Sequence, residues 1–395
     1  MVGGGLCGMA TALELAERGI EVVLLEAGTI GHGASGRNGG QIVQGFSASI
    51  DALAGAVGDA DAQAVWDLGR EAIDLIEERV RRHKINCDLR WGYFHAAITS
   101  RQLDNLRAEA RAYSRFGYDR CQVIGGDTMR AKVLSTDRYV GGMLDPESGQ
   151  LHPLAYLRGL AGVAAFLDAR LFERSAVTAI DPGPNGVTVR TAQGMVEAEH
   201  VVLAGNAYLG GLVPSLRRRV MPVTSFVGVT EPIAPDVARA LFKQDVAVAD
   251  CNLMLDYFRL TADNRLLFGA GASYSAAAPL RLKRWLTKRI RQIFPILDGI
   301  TVEHAWSGLI GITMNRLPDL GRLNPRVFYA QGFSGQGVAL TGIAGKLLAE
   351  AITGDDSRFA RLERIHHRAF PGGPLRTPAL IAATTAAKIK DRLGM

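Results

Sequence analysis

The glycine-rich loop at residues 2–8 is the feature of this sequence that most constrains its fold. The loop reads VGGGLCG and opens onto an amphipathic run at residues 9–18, which predicts a helix. A short apolar strand is predicted at residues 22–25, and Glu26 follows it directly. A loop, helix, strand and acid in this order are typical of the βαβ unit that binds a dinucleotide. They favour that interpretation over a chance glycine-rich turn.

Each glycine of this loop has a separate task in the G-x-G-x-x-G pattern. Gly3 makes the tight turn, Gly5 lets a pyrophosphate approach the backbone, and Gly8 packs the helix against the sheet. Free N–H groups and the positive dipole end at the helix N-terminus face the phosphates. Glu26 stands 18 residues after Gly8, where its carboxylate is expected to accept a hydrogen bond from a ribose hydroxyl.

The position of this loop in the chain is unusual, because only Met1 and Val2 precede it. The pattern normally follows a strand that lies in the middle of the sheet. A missing interior strand would leave unpaired backbone groups, each costing about 1–3 kcal/mol if buried. The sequence therefore predicts a misplaced start codon in a longer natural chain, which we favour, or a truncated product.

The composition is that of an ordinary globular protein with one large or two closely joined domains. The 395 residues are 48% hydrophobic and 21% charged, and no apolar stretch approaches the roughly 18 residues of a membrane span. The four cysteines form no C-x-x-C pair, which predicts free thiols, no metal site and, without an export signal, a cytoplasmic location. The net charge of +6 is mild, and no nucleic-acid-binding module accompanies it, so nucleic acid is not an expected partner.

A second glycine-rich segment, residues 31–41, directly follows the predicted ribose-binding strand. Five glycines in eleven residues let the backbone lie flat against a planar ligand, and polar side chains between them can bind phosphates or ring heteroatoms. Its position beside the first loop favours a ligand contact over a flexible surface loop. The predicted contacts are Gly33, Ser35, Arg37, Asn38, Gly39 and Gly40.

Residues 327–338 repeat the order of strand, glycine turn and helix near the other end of the chain. The N-terminus of this helix would stabilise negative charge, such as that on the N1 and C2–O side of a reduced flavin ring. Together with the first loop, this segment predicts a second cofactor contact. The residues are Gly335, Gln336, Gly337 and Val338.

Segments with the pattern of dinucleotide-binding units thus lie at both ends of the chain and again near residues 201–205. Between them, apolar and polar residues alternate at residues 221–268, which predicts antiparallel strands. Residues 141–153 are predicted to be rich in turns. The cofactor domain is therefore predicted to be discontinuous. The cofactor domain comprises residues 1–85, 145–215 and 310–360. The substrate domain comprises residues 86–144 and 216–309. Residues 361–395 form a tail with a terminal helix.

Several motifs together resemble one family. They are GGGLCG at residues 3–8, GASGRNGG at 33–40, LHP at 151–153, AGNAY at 204–208, DYFRLT at 256–261 and FSGQG at 333–337. In combination they resemble the FAD-dependent amine and amino-acid oxidases, the superfamily of D-amino-acid oxidase and glycine oxidase. The run at 33–40 is specific to this branch, whereas the opening loop is not.

The resemblance implies an α/β architecture, a glutathione-reductase-like, FAD-binding Rossmann domain with an inserted, mostly antiparallel β substrate domain. It also implies FAD, with the backbone of Val177 at the adenine edge and Gly205 near the cofactor. The histidines and cysteines near the motifs give no clear attachment point, so the FAD is expected to be noncovalent. The stretch TMNRLP at residues 313–318 resembles a Thr-x-Asp-x-x-Pro motif of the family, with Asn315 in place of the aspartate.

The implied reaction oxidises the C–N bond of an amine or amino acid, with a γ-glutamylputrescine-like substrate favoured. Hydride passes to flavin N5, water hydrolyses the imine, and oxygen or another acceptor reoxidises the flavin. Two alternatives stay open: oxidation of another secondary amine or a D-amino acid, and a truncated, non-catalytic paralogue. An NAD-dependent dehydrogenase is disfavoured, because the two glycine segments suit a single extended FAD. Neither the electron acceptor nor the oligomeric state follows from the sequence.

Three residues are candidates for contacts with the substrate. Tyr257 and Trp306 are candidate aromatic walls, and Arg259 offers a guanidinium for a substrate carboxylate. The alternatives are that Tyr257 packs within a sheet and that Arg259 forms a structural ion pair. The sequence does not decide between these interpretations.

Overall fold

The computed structural model of the protein describes residues 1–252, 254–273, 279–371 and 373. Its helices are α1 (Leu6–Glu17), α2 (Ile50–Val57), α3 (Asp59–His83), α4 (Ser100–Arg115), α5 (Gly126–Lys132), α6 (Pro153–Phe166), α7 (Pro214–Arg219), α8 (Pro235–Leu241), α9 (Leu282–Ile293), α10 (Gly337–Ile352) and α11 (Phe359–Glu363). Its strands are β1 (Val23–Leu25), β2 (Gln41–Ile42), β3 (Arg90–Ala97), β4 (Gln122–Gly125), β5 (Gly141–Gln150), β6 (Arg170–Phe172), β7 (Val177–Pro182), β8 (Val187–Thr191), β9 (Met195–Ala198), β10 (Val201–Leu203), β11 (Met221–Pro232), β12 (Ala247–Asp250), β13 (Asp256–Leu260), β14 (Arg265–Ser273), β15 (Val302–Ile312), β16 (Asp319–Asn324) and β17 (Val327–Gln331). The predicted terminal helix lies outside the described residues.

The first sheet is mostly parallel, in the order β6, β1, Val2, β10, β17, β16. Val2 fills the interior position between β1 and β10. Its N–H donates to the carbonyl oxygen of Val202 at 2.9 Å, and its own carbonyl accepts from the N–H of Ala204 at 2.8 Å. On the other side, the N–H of Gly3 donates to the carbonyl oxygen of Leu25 at 2.9 Å. The few residues before the glycine loop are therefore hydrogen-bonded to both neighbouring strands.

Helices α1 and α10 pack closely against each other on this sheet. A Cβ added to Gly345 of α10 would lie 2.7 Å from Cβ of Ala10 in α1, so only glycine allows the observed approach. A buried ion pair joins α1 to α3, because Arg79 donates to Glu14 at 2.7 Å. These contacts fix the N-termini of α1 and α10 relative to the sheet.

The second sheet is larger and mostly antiparallel, in the order β15, β11, β14, β13, β12, β3, β5, β2, with β4 also paired to β5. Strand β15 lies at one edge and β13 near the middle. Aromatic rings fill the core behind β13 and β14: Phe258 stacks on Phe268 at 5.8 Å, and Phe294 meets Phe258 edge-on at 5.4 Å. Strands β7, β8 and β9 form a separate small meander.

The prediction of a turn-rich segment at residues 141–153 is wrong, because residues 141–150 form strand β5 between β3 and β4. Its glycines serve close packing within the sheet. A Cβ added to Gly142 would lie 2.4 Å from the ring of Phe94, for example. Glycine in a strand often marks such a close approach, and a single sequence does not distinguish it from a turn.

The predicted domain boundaries remain a prediction, and two of the predicted segments interleave in the structure. Strand β2 and the end of β5 belong to the large sheet, although both fall in segments predicted for the cofactor domain. The chain therefore passes between the two sheets at residues 39–42 and again at residues 150–153. Within the described residues, no helix is both long and apolar enough to cross a membrane.

Candidate functional site

The N-terminus of α1 is formed by glycine backbone and one serine. Gly5 is the N-cap and makes no side-chain capping hydrogen bond. Ser35, from the second glycine segment, accepts a hydrogen bond from the N–H of Leu6 through Oγ at 2.9 Å. A Cβ added to Gly5 would lie 2.8 Å from that oxygen. The two glycine segments therefore meet at the positive end of α1.

Gly3 and Gly8 close this loop by direct backbone contact. Gly3 has φ +111°, and a Cβ added to Gly8 would lie 2.0 Å from the carbonyl oxygen of Gly3. A Cβ added to Gly3 would in turn lie 3.2 Å from the amide nitrogen of Gly205. The structure thus brings Gly205 beside the first loop.

Glu26 faces the loop from the end of β1. Its Oε2 accepts from the N–H of Gly4 at 2.6 Å, and its Oε1 accepts from the N–H of Gly28 at 2.8 Å. An ionised carboxylate has about four acceptor positions, so it retains capacity for a ribose hydroxyl. The N–H of Ser175 donates to the carbonyl oxygen of Glu26 at 2.8 Å, which brings Val177, at the start of β7, to the same end of the sheet.

The segment containing residues 33–40 is held in its turn by its own side chains. Asn38 donates through Nδ2 to the carbonyl oxygens of Ala34 and Ser35, at 3.0 and 2.9 Å, and accepts through Oδ1 from the N–H of Gly40 at 2.8 Å. The ring of Tyr208 covers Gly33, where an added Cβ would lie 3.3 Å from it. Asn38 therefore shapes the turn, and its predicted contact with the cofactor stays a prediction.

Arg37 and Trp306 connect this segment to edge strand β15. Arg37 donates to the carbonyl oxygens of His32 and Ser307, at 2.6 and 3.1 Å. Trp306 donates through Nε1 to the carbonyl oxygen of Arg37 at 2.9 Å. Both side chains are half-buried. Trp306 therefore lies where the large sheet meets the 33–40 segment. Its predicted role as an aromatic wall for the substrate belongs to this position.

Tyr257 and Arg259 both contact Gly39. A Cβ added to Gly39 would lie 2.7 Å from the ring of Tyr257, whose hydroxyl lies 3.3 Å from Oγ of Ser225. Arg259 is 2% exposed and donates through Nε to the carbonyl oxygen of Gly39 at 2.6 Å. Burial raises the pKa of Tyr257 and lowers that of Arg259 to about 10, so both stay protonated at neutral pH. The structure gives Arg259 backbone partners in place of the ion pair considered above.

The second strand–turn–helix unit begins α10 with glycine backbone as well. Gly335 has φ +101°, and the N-cap Gln336 makes no side-chain capping hydrogen bond. Its Oε1 is buried and has no hydrogen-bond partner among the described residues. A buried amide oxygen without a hydrogen-bond donor costs free energy. A ligand that donates a hydrogen bond to this oxygen would remove that cost. Gly337 and Val338 form the first turn of α10.

The sequence did not predict the polar contacts that join the separate segments of the site. Tyr208 accepts through its hydroxyl from the N–H of Leu309 at 2.9 Å. Ser334, at φ +52°, accepts through Oγ from the N–H of Thr313 at 3.2 Å, and its carbonyl accepts from Ser47 at 2.7 Å. These partners are remote in sequence, and no local pattern marks them.

The donor set fits FAD at the first sheet. A pyrophosphate and a ribose match the Gly3–Gly5 backbone, the Glu26 carboxylate and the two helix N-termini, of which that of α1 has Ser35 Oγ as a side-chain partner. In the part of the chain that the structure describes, no group of three or more His, Cys, Asp or Glu side chains could hold a metal ion.

Comparisons with known proteins show the family to which this chain belongs. The profile of the DAO family, described as FAD dependent oxidoreductase, matches residues 1–351. The chain is 41% identical over 397 residues to gamma-glutamylputrescine oxidoreductase of Escherichia coli, covering 100% of this chain and 93% of that protein. It is 40% identical over 378 residues to the probable oxidoreductase OrdL of Haemophilus influenzae, covering 94% and 86%. The crystal structure of glycine oxidase from Bacillus cereus has a similar fold, with a TM-score of 0.76 at 21% identity, covering 93% of this chain and 98% of that one.

The chain belongs to the DAO family of FAD-dependent oxidoreductases. Its predicted α/β fold, its FAD cofactor and its class of enzyme are thereby confirmed. The roles of the individual site residues remain predictions.

Proposed function

We propose that this chain oxidises the C–N bond of an amine, with γ-glutamylputrescine-like molecules as first substrates. One observation carries the proposal: the identity to gamma-glutamylputrescine oxidoreductase extends over the whole of this chain. Oxygen or another acceptor would take up the electrons, and the four free cysteines support a reducing, cytoplasmic location.

FAD, when bound, supplies the hydride acceptor and passes the electrons on. Gly3, Gly5 and Gly8 would hold its pyrophosphate with Ser35 at the N-terminus of α1, and Glu26 its ribose. This assignment is supported by the glycine backbone at the N-terminus of α1 and by the position of the Glu26 carboxylate beside the loop.

The remaining predicted contacts would lie along the rest of the cofactor. The backbone of Val177 would hold the adenine edge, and Gly205 would approach the pyrophosphate beside Gly3. Residues 335–338 at the N-terminus of α10 would stabilise negative charge at the pyrimidine end of the ring, because the helix dipole is positive there. The unpartnered Oε1 of Gln336 supports a ligand at this end.

Trp306 and Tyr257 would line the substrate side, next to the 33–40 segment that they contact. Their rings exclude water from the reacting carbon and orient the amine. The amine must arrive unprotonated, because its nitrogen lone pair assists departure of the hydride. No acid–base side chain is then required, and the imine product hydrolyses to an aldehyde or oxo acid with release of an amine or ammonia.

The visible spectrum of the purified chain with added FAD tests this proposal. We expect flavin bands at roughly 375 and 450 nm, characteristic of the cofactor itself. Under anaerobic conditions they should bleach fastest with γ-glutamylputrescine, compared with putrescine, an N-methyl amino acid and a D-amino acid. Faster bleaching by one of the others would favour the alternative substrates. A protein that binds no FAD would contradict the proposal and favour a non-catalytic paralogue.

A further inference from the structure

Two side chains of the central strand β13 contact the same glycine. Tyr257 and Arg259 stand two residues apart and so lie on one face of the strand. The ring of Tyr257 lies so near Gly39 that an added Cβ would be 2.7 Å from it, and Arg259 donates through Nε to the carbonyl oxygen of Gly39 at 2.6 Å. The large sheet therefore holds the second glycine segment at Gly39.

Arg259 also binds the backbone that crosses this segment. Its Nη2 donates to the carbonyl oxygen of Leu151 at 3.1 Å, and its Nη1 donates to that of Leu260 at 3.3 Å. Leu151 in turn contacts Gly40, because its N–H donates to the Gly40 carbonyl at 2.8 Å. A Cβ added to Gly40 would lie 1.9 Å from the carbonyl oxygen of Leu151. One guanidinium thus links the two backbone segments that connect the sheets.

The surroundings of Arg259 do not suit a substrate-binding cation. Its side chain is 2% exposed, and its three contacts are all to backbone carbonyl oxygens. It forms no ion pair with an acidic side chain of the described residues. Burial of a charge without a paired carboxylate costs free energy, and binding three carbonyl oxygens is a task that hydrophobic packing would not perform. The planar guanidinium fits that task, since it donates to several acceptors in fixed directions.

We propose that Arg259 is a positioning residue that fixes the backbone of Gly39, Gly40 and Leu151, and thereby the surface on which the flavin ring lies. This inference rests on the proposed function and on the prediction that the 33–40 segment lies flat against the planar ring of the cofactor. Arg259 acts through the backbone that it binds and does not touch the substrate. Its replacement is therefore expected to change the affinity for the flavin and the environment of its ring, whichever amine is the substrate.

The test compares Arg259→Met and Arg259→Lys with wild-type protein. Hydrogen exchange in the FAD-free protein is the first readout, because the Leu151 amide donates to Gly40 without any cofactor. We expect this amide to exchange about tenfold faster or more in Arg259→Met. The dissociation constant for FAD should rise by a similar factor, and the visible circular dichroism of bound flavin should change. Arg259→Lys should restore part of each effect, since it keeps the charge and one or two donors.

Arg289→Met is the matched control. Arg289 binds Asp256, three residues from Arg259 on the same strand, through both carboxylate oxygens at 2.7 and 2.6 Å. Its loss should lower thermal stability without a selective change at Leu151 or in the flavin spectrum. A purely structural role for Arg259 would give the same pattern as this control and would overturn the proposal.

Steady-state kinetics separate positioning from substrate binding. Positioning predicts the same change in KM for amines with and without a carboxylate. A KM increase confined to carboxylate-bearing amines, with unchanged FAD affinity and unchanged Leu151 exchange, would overturn the proposal. If wild-type protein binds no FAD, the proposed function fails, and the exchange of Leu151 still decides whether Arg259 fixes this backbone. If Arg259→Met does not fold, hydrogen exchange of the Leu151 amide in Arg259→Lys decides whether Arg259 fixes this backbone.

Discussion

Trp306 Nε1 donates to the carbonyl oxygen of Arg37 at 2.9 Å, across 269 residues of chain. Arg37 donates in return to the carbonyl oxygen of Ser307 at 3.1 Å. This reciprocal pair closes the edge of the large sheet onto the 33–40 segment. The sheet that is proposed to bind substrate thus also determines the shape of a segment proposed to bind the cofactor.

Replacing Trp306 by phenylalanine should weaken FAD binding about two- to tenfold, because one hydrogen bond contributes about 0.5–1.5 kcal/mol. Fluorescence titration of FAD-free protein with FAD measures this change. Trp285→Phe is the control, since Trp285 lies on α9, where its ring contacts Phe226 and the guanidinium of Arg289. Equal effects of the two substitutions would show that the link to Arg37 is not used in binding.

Glu26→Ala should lower FAD affinity more strongly than Glu26→Gln. Alanine removes the acceptors for the N–H groups of Gly4 and Gly28, whereas glutamine retains one oxygen. We expect about a tenfold or larger loss for alanine, since hydrogen bonds to a charged group contribute about 1.5–3 kcal/mol. Equilibrium dialysis of FAD measures the difference. Glu21→Ala is the control, because Glu21 lies two residues before β1 and forms an exposed ion pair with Arg170. An FAD affinity unaffected by Glu26→Ala would refute a ribose contact by this residue.

Gly8→Ala should strongly destabilise the folded protein. The added Cβ would lie 2.0 Å from the carbonyl oxygen of Gly3, and backbone at such a distance has to move. Overpacking typically costs about 1–3 kcal/mol, and a backbone clash in the first loop should reach or exceed the upper end of that range. Gly55→Ala in α2 is the control, because a Cβ there meets nothing within 4 Å and alanine favours helix. Thermal unfolding followed by circular dichroism should separate the two, and equal melting temperatures would contradict the loop geometry.

Asp250 should make the protein less stable as the pH rises from about 4 to 7. Burial and the nearby carboxylate of Asp256 raise the pKa of Asp250 from 3.8 to about 7. The folded state therefore holds this proton more tightly than the unfolded state, and the stabilisation is lost as the pH passes upward through that range. At about 1.4 kcal/mol per pKa unit, a shift of about three units corresponds to roughly 4 kcal/mol at most.

Asp250→Asn removes this titration and should flatten the dependence. The free energy of unfolding is measured with denaturant at pH 5, 6, 7 and 8. Relative to wild type, that of the variant should increase at each step up to about pH 7. Asp127→Asn, at a fully exposed carboxylate, should follow wild type throughout. A constant difference between Asp250→Asn and wild type would mean that Asp250 titrates below this range.

Much of the cofactor side of this protein follows from local sequence. The opening glycines, the helix after them and Glu26 lie within one short stretch, and their order is enough to predict the loop, because backbone freedom and helix N-termini are local properties. The predicted helix is confirmed, although it begins at Leu6. Strand β5 was missed for the opposite reason, since its glycines respond to neighbours such as Phe94 that lie far away in the chain.

The sequence by itself determined the family, the cofactor and the opening unit of glycine loop, helix and strand. Only the tertiary structure decided what Arg259 contacts. Its partners Gly39 and Leu151 lie 220 and 108 residues away, so no periodicity or motif could place them beside its guanidinium. The residue type offered an ion pair or a substrate contact, and packing of the two sheets gave it three backbone carbonyls instead. Side-chain partners at such separations are fixed by how the sheets pack, and that is a property of the whole fold.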